Sequence, residues 1–313
     1  MGPVRRAELM LLLVTVCWGV SFPSIKAATA YCSPTLFVAV RFTAATLILL
    51  AGWPLFARSL PDDLRRRGRG LIADRQAIRW GLLLGVLVAV GYTTQTIGMH
   101  TTTANNSAFI TALSVVLVPL IIFCWHGVRP SASVIGGVAL ALAGLWLLTQ
   151  PNLKGIVAGD VWTVGCAVSY AFYLSRLNFA LVRTSYLPLL FWTLAVCTVL
   201  NGLWAVLIED MRFEPNGTLL TALIVTTLLS TLAGLYLQNR YQGYTSPSRA
   251  ALIFAAEPVF ATFFSWLAIG ERLTGAAIPG AGLILAAVLT VELGGAGDRE
   301  DGLPRLGFPE ERR

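Results

Sequence analysis

The sequence predicts an all-α polytopic membrane protein, with ten transmembrane helices arranged as two inverted five-helix repeats. Three observations carry this prediction. The 313-residue chain is 56% hydrophobic and 12% charged, with a mean hydropathy of +0.72, whereas soluble domains carry about 25% charged residues. Ten segments reach the length of about 20 mostly apolar residues that a bilayer span needs. Residues 95–143 also recur without gaps at 238–286, a fixed offset of 143. Gln95 meets Gln238, Thr102 meets Thr245, and Ala108, Ile110 and Ala112 meet Ala251, Ile253 and Ala255. Further on, Gly127, Arg129, Gly137, Leu140, Leu142 and Ala143 meet Gly270, Arg272, Gly280, Leu283, Leu285 and Ala286. Five spans per copy is an odd number, which sets the second copy upside down. Inverted repeats of this kind are an architecture of secondary transporters.

The segments follow in order. Span 1 (8–30) comes after Arg5 and Arg6 and imitates a signal peptide, with Ala28-Thr29-Ala30 as the cleavage site. Its apolar region is too long, Lys26 precedes the site and more spans follow, so it is read as a retained helix. Span 2 (34–57) is separated from span 3 (80–99) by an arginine-rich loop, Arg58 to Arg79, broken by Pro61 and Gly68. Short connections join spans 4 (105–125), 5 (131–149), 6 (159–178), 7 (187–208), 8 (218–240), 9 (249–269) and 10 (276–294). The first repeat is thus 8–149 and the second 159–294, with 295–313 a charged tail expected to be disordered and cytoplasmic. Trp53, Trp80, Trp125, Trp204 and Trp266 sit near span ends, where interfacial tryptophans belong. Small residues expected at helix–helix contacts are Gly81 and Gly85, Ala139 and Ala143, and Gly282 and Ala286.

Basic residues orient the chain. With the N-terminus inside, 18 fall on the cytoplasmic side and 3 (Lys154, Arg212 and Arg272) outside. This places both termini in the cytoplasm of a protein embedded in the cell (inner or plasma) membrane. The formal charge of +7 is then explained by topology and calls for no nucleic-acid partner. The five cysteines and two histidines, His100 and His126, show no metal spacing, and no cofactor is implied.

The local wording resembles the EamA family of the drug/metabolite transporter superfamily. Span 1 carries Trp18-Gly19-Val20-Ser21-Phe22-Pro23 with Lys26, and span 2 carries Arg41-Phe42. Spans 3 and 4 read Tyr92-Thr93-Thr94-Gln95 and Ser107-Ala108-Phe109-Ile110. Span 6 carries Gly159-Asp160-Val161-Trp162 and Ser169-Tyr170-Ala171. Gln238, Arg249-Ala250-Ala251-Leu252, Glu257-Pro258-Val259 and Gly270-Glu271-Arg272-Leu273 complete the set over residues 8–294. The resemblance implies a ten-helix inner-membrane exporter of amino acids, metabolites or toxic, drug-like small molecules.

Polar groups at membrane depth are costly and face a cavity or a partner. Glu257 lies eight residues into span 9, roughly 12 Å deep at 1.5 Å per residue. Because a low dielectric disfavours the charged form, such an acid can exchange a proton during a transport cycle. Alternatively, it satisfies groups freed by Pro258. Pro23, Pro119 and Pro258 are the expected helix kinks, and a kink at Pro23 brings Trp18, Ser21 and Phe22 towards the centre. Lys26 and Arg41 either attract a substrate carboxylate, act as gate residues near the outer mouth, or snorkel. Their depth argues against a direct pair with Glu257. Gln95 and Gln238 either line the pathway from both halves or bond across helices. Trp162, Tyr170 and Tyr173 on span 6 share a face suited to a cavity wall or a helix seam. Tyr92 and Phe109 complete the pathway candidates. Asn105 and Asn106 are candidate caps for span 4, and Asp160 starts span 6, where the helix dipole favours an anion.

These residues favour a secondary transporter working by alternating access. An uncoupled facilitative permease or a non-transporting membrane subunit is the alternative. An intramembrane enzyme is disfavoured, since His-Glu-x-x-His, Gly-x-Ser-x-Gly and phosphate-loop motifs are all missing from the sequence. The expected partners are a small solute, the bilayer and, at Glu257, a proton.

Overall fold

The computed structural model describes residues 3–58, 74–150, 156–270 and 275–293. Most of the arginine-rich loop (59–73), Lys154, Glu271, Arg272 and the tail 295–313 lie outside the described residues. Within them the protein is helical, with one isolated bridge pairing Cys32 and Phe213.

Among the described residues, eight helices are long and apolar enough to cross a membrane. They are α1 (Val4–Ala28), α2 (Pro34–Ala51), α3 (Arg75–Gly98), α4 (Ala104–His126), α5 (Ala132–Thr149), α7 (Tyr186–Leu207), α8 (Gly217–Tyr244) and α9 (Pro247–Ala268). Two more helices pack with them, α6 (Ala158–Leu181) of 24 residues and α10 (Ala277–Leu293) of 17. Length limits α10. In α6 the limit is composition. It runs through the interior and buries Asp160, Ser169, Ser175 and Asn178, so its polar residues need not face lipid.

Close packing depends on glycines where helices cross. Along the α5–α10 seam, a Cβ on Gly144 would lie 2.7 Å from the Gly280 carbonyl, and one on Gly280 would lie 2.5 Å from the Leu148 amide. Gly85 of α3 leaves no room beside Val196 of α7. The small face expected at Gly282 plays no such part: Gly282 is exposed with open space around it, and the seam uses Gly280 on the opposite side.

Four backbone events recur at the offset of 143. The helix ends at Met99 and Gln242 are followed by N-caps at Thr103 and Ser246, whose hydroxyls accept the amides of Asn106 and Arg249. The helices then break at Leu113 and Ala256, which turn back to Ile110 and Ile253 through i→i−3 bonds of 3.1 Å in each copy. They end on left-handed glycines, Gly127 (φ 66°) and Gly270 (φ 67°). Span 4 is therefore capped by Thr103, not by Asn105 or Asn106. Its hydroxyl oxygen reaches the orphan amide that an N-cap must satisfy.

Two of the three proline kinks fall near observed breaks. Proline cannot donate to the carbonyl four residues back. For Pro23 and Pro258 those carbonyls belong to Gly19 and Phe254, the last residues before the interruptions in α1 and α9. Pro119 behaves differently. It sits inside the unbroken stretch Ser114–His126, and the interruption of α4 lies one and a half turns earlier, at Leu113.

A Gly280→Leu substitution is expected to destabilise the protein by about 1–3 kcal/mol through overpacking. Gly282→Leu should change stability by less than about 0.5 kcal/mol. Thermal unfolding of the two purified variants, side by side, checks the seam.

Candidate functional site

The three interruptions converge. Val20 breaks α1, Leu113 breaks α4, and Ala255 and Ala256 break α9. A fourth irregularity, a π-helical stretch from Thr226 to Gly234, lies inside α8. Such stretches are frequent at functional sites. Between them is a small cavity. It is lined by Trp18 and Ser21 of α1, Gly91, Tyr92 and Gln95 of α3, and Thr111 of α4. Cys166 and Tyr170 of α6, Ser230 of α8 and Glu257 of α9 complete the wall.

The wall is built by its own polar groups. The Trp18 indole N–H donates to the Ser230 carbonyl at 3.1 Å, a group made available by the wide π turn. Gly234 gives this indole room, since a Cβ there would lie 2.7 Å from the ring nitrogen. Tyr170 and Phe254 then hold the Trp18 ring, with centroids at 5.5 and 5.0 Å. The Ser21 hydroxyl donates to the Trp18 carbonyl at 2.6 Å, within the turn where α1 breaks. Gln95 donates its amide to Thr111 at 3.2 Å, linking α3 to α4.

Arg41 is fully buried and outside the lining. Its Nε donates to Thr231 Oγ1 at 2.6 Å and its Nη2 to Ser230 Oγ at 2.9 Å. Its guanidinium lies 4.7 Å from the Tyr92 ring centroid. Ser230 and Tyr92 therefore contact both the cavity and the cation. Glu257, half-buried, opens to the cavity at the first residue after the α9 break. It makes no hydrogen bond or ion pair among the described residues, with Arg41 or any other group.

The remaining sequence candidates lie elsewhere. Lys26 is not among the residues that line the cavity. Its ammonium donates to the carbonyls of Met99 at 2.6 Å and Thr102 at 2.9 Å, groups that the end of α3 leaves unpaired. Phe22 packs in a separate apolar cluster with Ile25, Phe37 and Met99, and Phe109 packs edge-on against Trp146. Trp162 is 44% exposed, beside exposed Val161 and Val164 near the start of α6, so it is no cavity wall. Tyr173 is buried behind the cavity, where it donates to Gln238 Oε1 at 3.3 Å.

The two repeat-related amides diverge. Gln95 lines the cavity, whereas Gln238 is fully buried in a network with Tyr173, Gln242 and Asn178 that ties α6 to α8. Asp160 caps the start of α6 through the Val157 amide at 3.1 Å and also accepts a bond from Thr102.

Gly91, Thr111, Cys166 and Ser230 were not legible as lining residues. Ser230-Thr231, a hydroxyl pair in the middle of span 8, carried the clearest missed signal. A second acid was also overlooked. Glu8, at the start of span 1, is buried with its Oε1 3.5 Å from Arg249 Nη1, so Arg249 belongs to an interior ion pair. At the far ends of the helices, Glu209 accepts the amides of Thr35 and Leu36 at the start of α2, each at 3.2 Å. His100 lines the adjoining groove, and burial, together with the Arg212 and Lys26 cations, holds its imidazole below the ordinary value against the pull of Glu209.

A polytopic helical bundle with broken helices around a central polar cavity defines a membrane transporter by class. The chain belongs to the EamA-like transporter family, which it matches over residues 5–150 and again over 157–293. It is 32% identical to an "Uncharacterized transporter" of Archaeoglobus fulgidus over 92% of this chain and 86% of that one. It is 26% identical to the inner membrane transporter YedA of Escherichia coli, over 91% of this chain and 90% of that one. A "Probable amino-acid metabolite efflux pump" of Salmonella typhimurium is 25% identical, over 90% and 93% of the two chains. A solved crystal structure shares the fold with a TM-score of 0.73 at 16% identity, covering 92% of this chain and 97% of that one. The protein is thus a multi-pass membrane transporter.

Lys26→Met should leave two carbonyls without a donor and lower stability by about 1–3 kcal/mol. Solute affinity in the surviving folded protein should be unchanged. Unfolding in detergent together with ligand titration separates this positioning role from a role in the pathway.

Proposed function

We propose that the protein is a secondary transporter that exports small metabolites, amino acids or drug-like solutes. It would work by alternating access between two inverted halves, 8–149 and 159–294. The observation that carries this reading is the pair of helix interruptions at Leu113 and Ala256, equivalent in the repeat and both bordering the cavity. In this reading α6 and α10 also span the bilayer, five helices make each half, and both termini face the cytoplasm. The efflux function described for the Salmonella relative supports export.

Glu257 is the proposed coupling group. It meets the cavity without an ionic partner, so a proton or a solute can bind it in turn. The titratable neighbours in the same wall are Tyr92, Cys166 and Tyr170, with Arg41 next to Tyr92. Its repeat counterpart is Ser114, so the coupling chemistry belongs to the second half alone.

A solute screen in proteoliposomes, run with and without a pH gradient, tests the function. Glu257→Gln is expected to reduce gradient-driven flux at least about 100-fold, a loss of roughly 2.7 kcal/mol at one step, while the protein remains folded in the membrane. Normal flux in that variant removes the coupling role. Flux that ignores the gradient in the parent protein assigns an uncoupled permease. Cysteines placed at 59–73 should label from the cytoplasmic side alone, and labelling from outside reverses the topology.

A further inference from the structure

We propose that the cavity selects small organic cations: amphipathic solutes with one protonated amine beside an aryl or alkyl body. The inference deepens the transporter reading and rests on it for passage of the solute, though not for binding.

Charge is the first argument. Glu257 is the one carboxyl group among the lining residues, which include no basic side chain, and it has no ionic partner among the described residues. A buried carboxylate needs a cation or a proton to offset its desolvation. A solute ammonium supplies one. A solute carboxylate would add like charge beside Glu257, which disfavours both ions. The Arg41 guanidinium is buried outside the lining, with its Nε on Thr231, its Nη2 on Ser230 and its Nη1 without a hydrogen-bond partner among the described residues.

The balance of donors and acceptors is the second. Three of the wall's donors are used within the protein, the Trp18 N–H on the Ser230 carbonyl, the Ser21 hydroxyl on the Trp18 carbonyl, and the Gln95 amide on Thr111, while the Tyr92 and Tyr170 hydroxyls donate to no partner among the described residues. Both Glu257 carboxylate oxygens and the Gln95 carbonyl oxygen remain uncommitted among the described residues. An ammonium, which has N–H donors and no acceptor, complements these carboxyl and amide oxygens.

The third argument is aromatic. Trp18, Tyr92 and Tyr170 contribute rings to the same small volume, and ring faces attract cations. Tyr92 already does so with Arg41 at 4.7 Å.

The test uses the full chain in lipid nanodiscs and four ligands of one skeleton: phenethylamine, phenylalanine, phenethyl alcohol and 3-phenylpropanoate. Equilibrium titration should find the amine bound at least about 10-fold more tightly than each of the others, a difference of one decade in Kd. Glu257→Gln should weaken amine binding by about 10-fold or more, while Glu257→Asp, which keeps the charge, should stay within several-fold. Tyr170→Leu should weaken it about 3- to 10-fold and Tyr170→Phe should not, separating the ring face from the hydroxyl. Because the Asp and Phe variants retain binding, loss in their counterparts is not loss of fold. The proposal is overturned if another of the four ligands binds as tightly as the amine, if none binds, or if Glu257→Gln keeps the parent affinity. A chain that binds the amine but passes no solute in liposomes retains the cation site and loses the transporter reading. A chain that passes solutes in the flux screen but prefers the zwitterion or the anion does the reverse.

Discussion

Lipid offers no hydrogen bonds, and every feature of the cavity follows from that constraint. An interrupted membrane helix exposes backbone amides and carbonyls that hydrocarbon cannot satisfy. Here the interruptions at Val20, Leu113 and Ala256 turn inward and share one space. The freed groups find hydroxyls, an indole N–H or a tightened turn. The Ser230 carbonyl takes Trp18, and the Trp18 carbonyl takes Ser21. Polar side chains gather at the centre because breaks there require them, and a binding cavity is what forms around the breaks.

Symmetry governs the backbone much more than the side chains. The caps at Thr103 and Ser246, the turns at Leu113 and Ala256, and the terminal glycines Gly127 and Gly270 fall in register. These positions bear the geometry of a helix that stops and restarts, and few residue types do that work. The side chains aimed at the cavity are free of this requirement. Ser114 is the repeat counterpart of Glu257, and Gln95 and Gln238 have the same identity but different surroundings.

This division explains how much was legible in the sequence. Hydropathy located the eight long apolar helices, a property of local chain chemistry, whereas the prolines gave only approximate positions for the breaks and missed the one at Leu113. Trp18, Ser21, Tyr92, Gln95, Tyr170 and Glu257 were recognisable as unusual residues for their depth, and the structure brings them to one cavity. Lys26 and Trp162 were equally unusual but serve a helix end and an exposed face. Depth along a helix can be counted from a sequence, while azimuth around it depends on neighbours that the sequence does not name. Ser230 shows the limit most clearly. Its orientation depends on the π-helical stretch from Thr226 to Gly234, which no residue type in that stretch announces.

That stretch has a mechanical meaning. A π turn holds one residue more than an α turn needs, so α8 carries spare chain at the level of the cavity. Taking up one residue of it would rotate the rest of the helix by about 100°. Ser230 and Thr231, within the stretch, hold Arg41, and Gln238 and Asn239, beyond it, bond to Tyr170 and Tyr173. One hydrogen-bond register therefore sets two polar contacts at once, as a ratchet tooth sets both sides of a shaft. Such a one-residue shift would change the length of the helix across the bilayer by only about 1.5 Å.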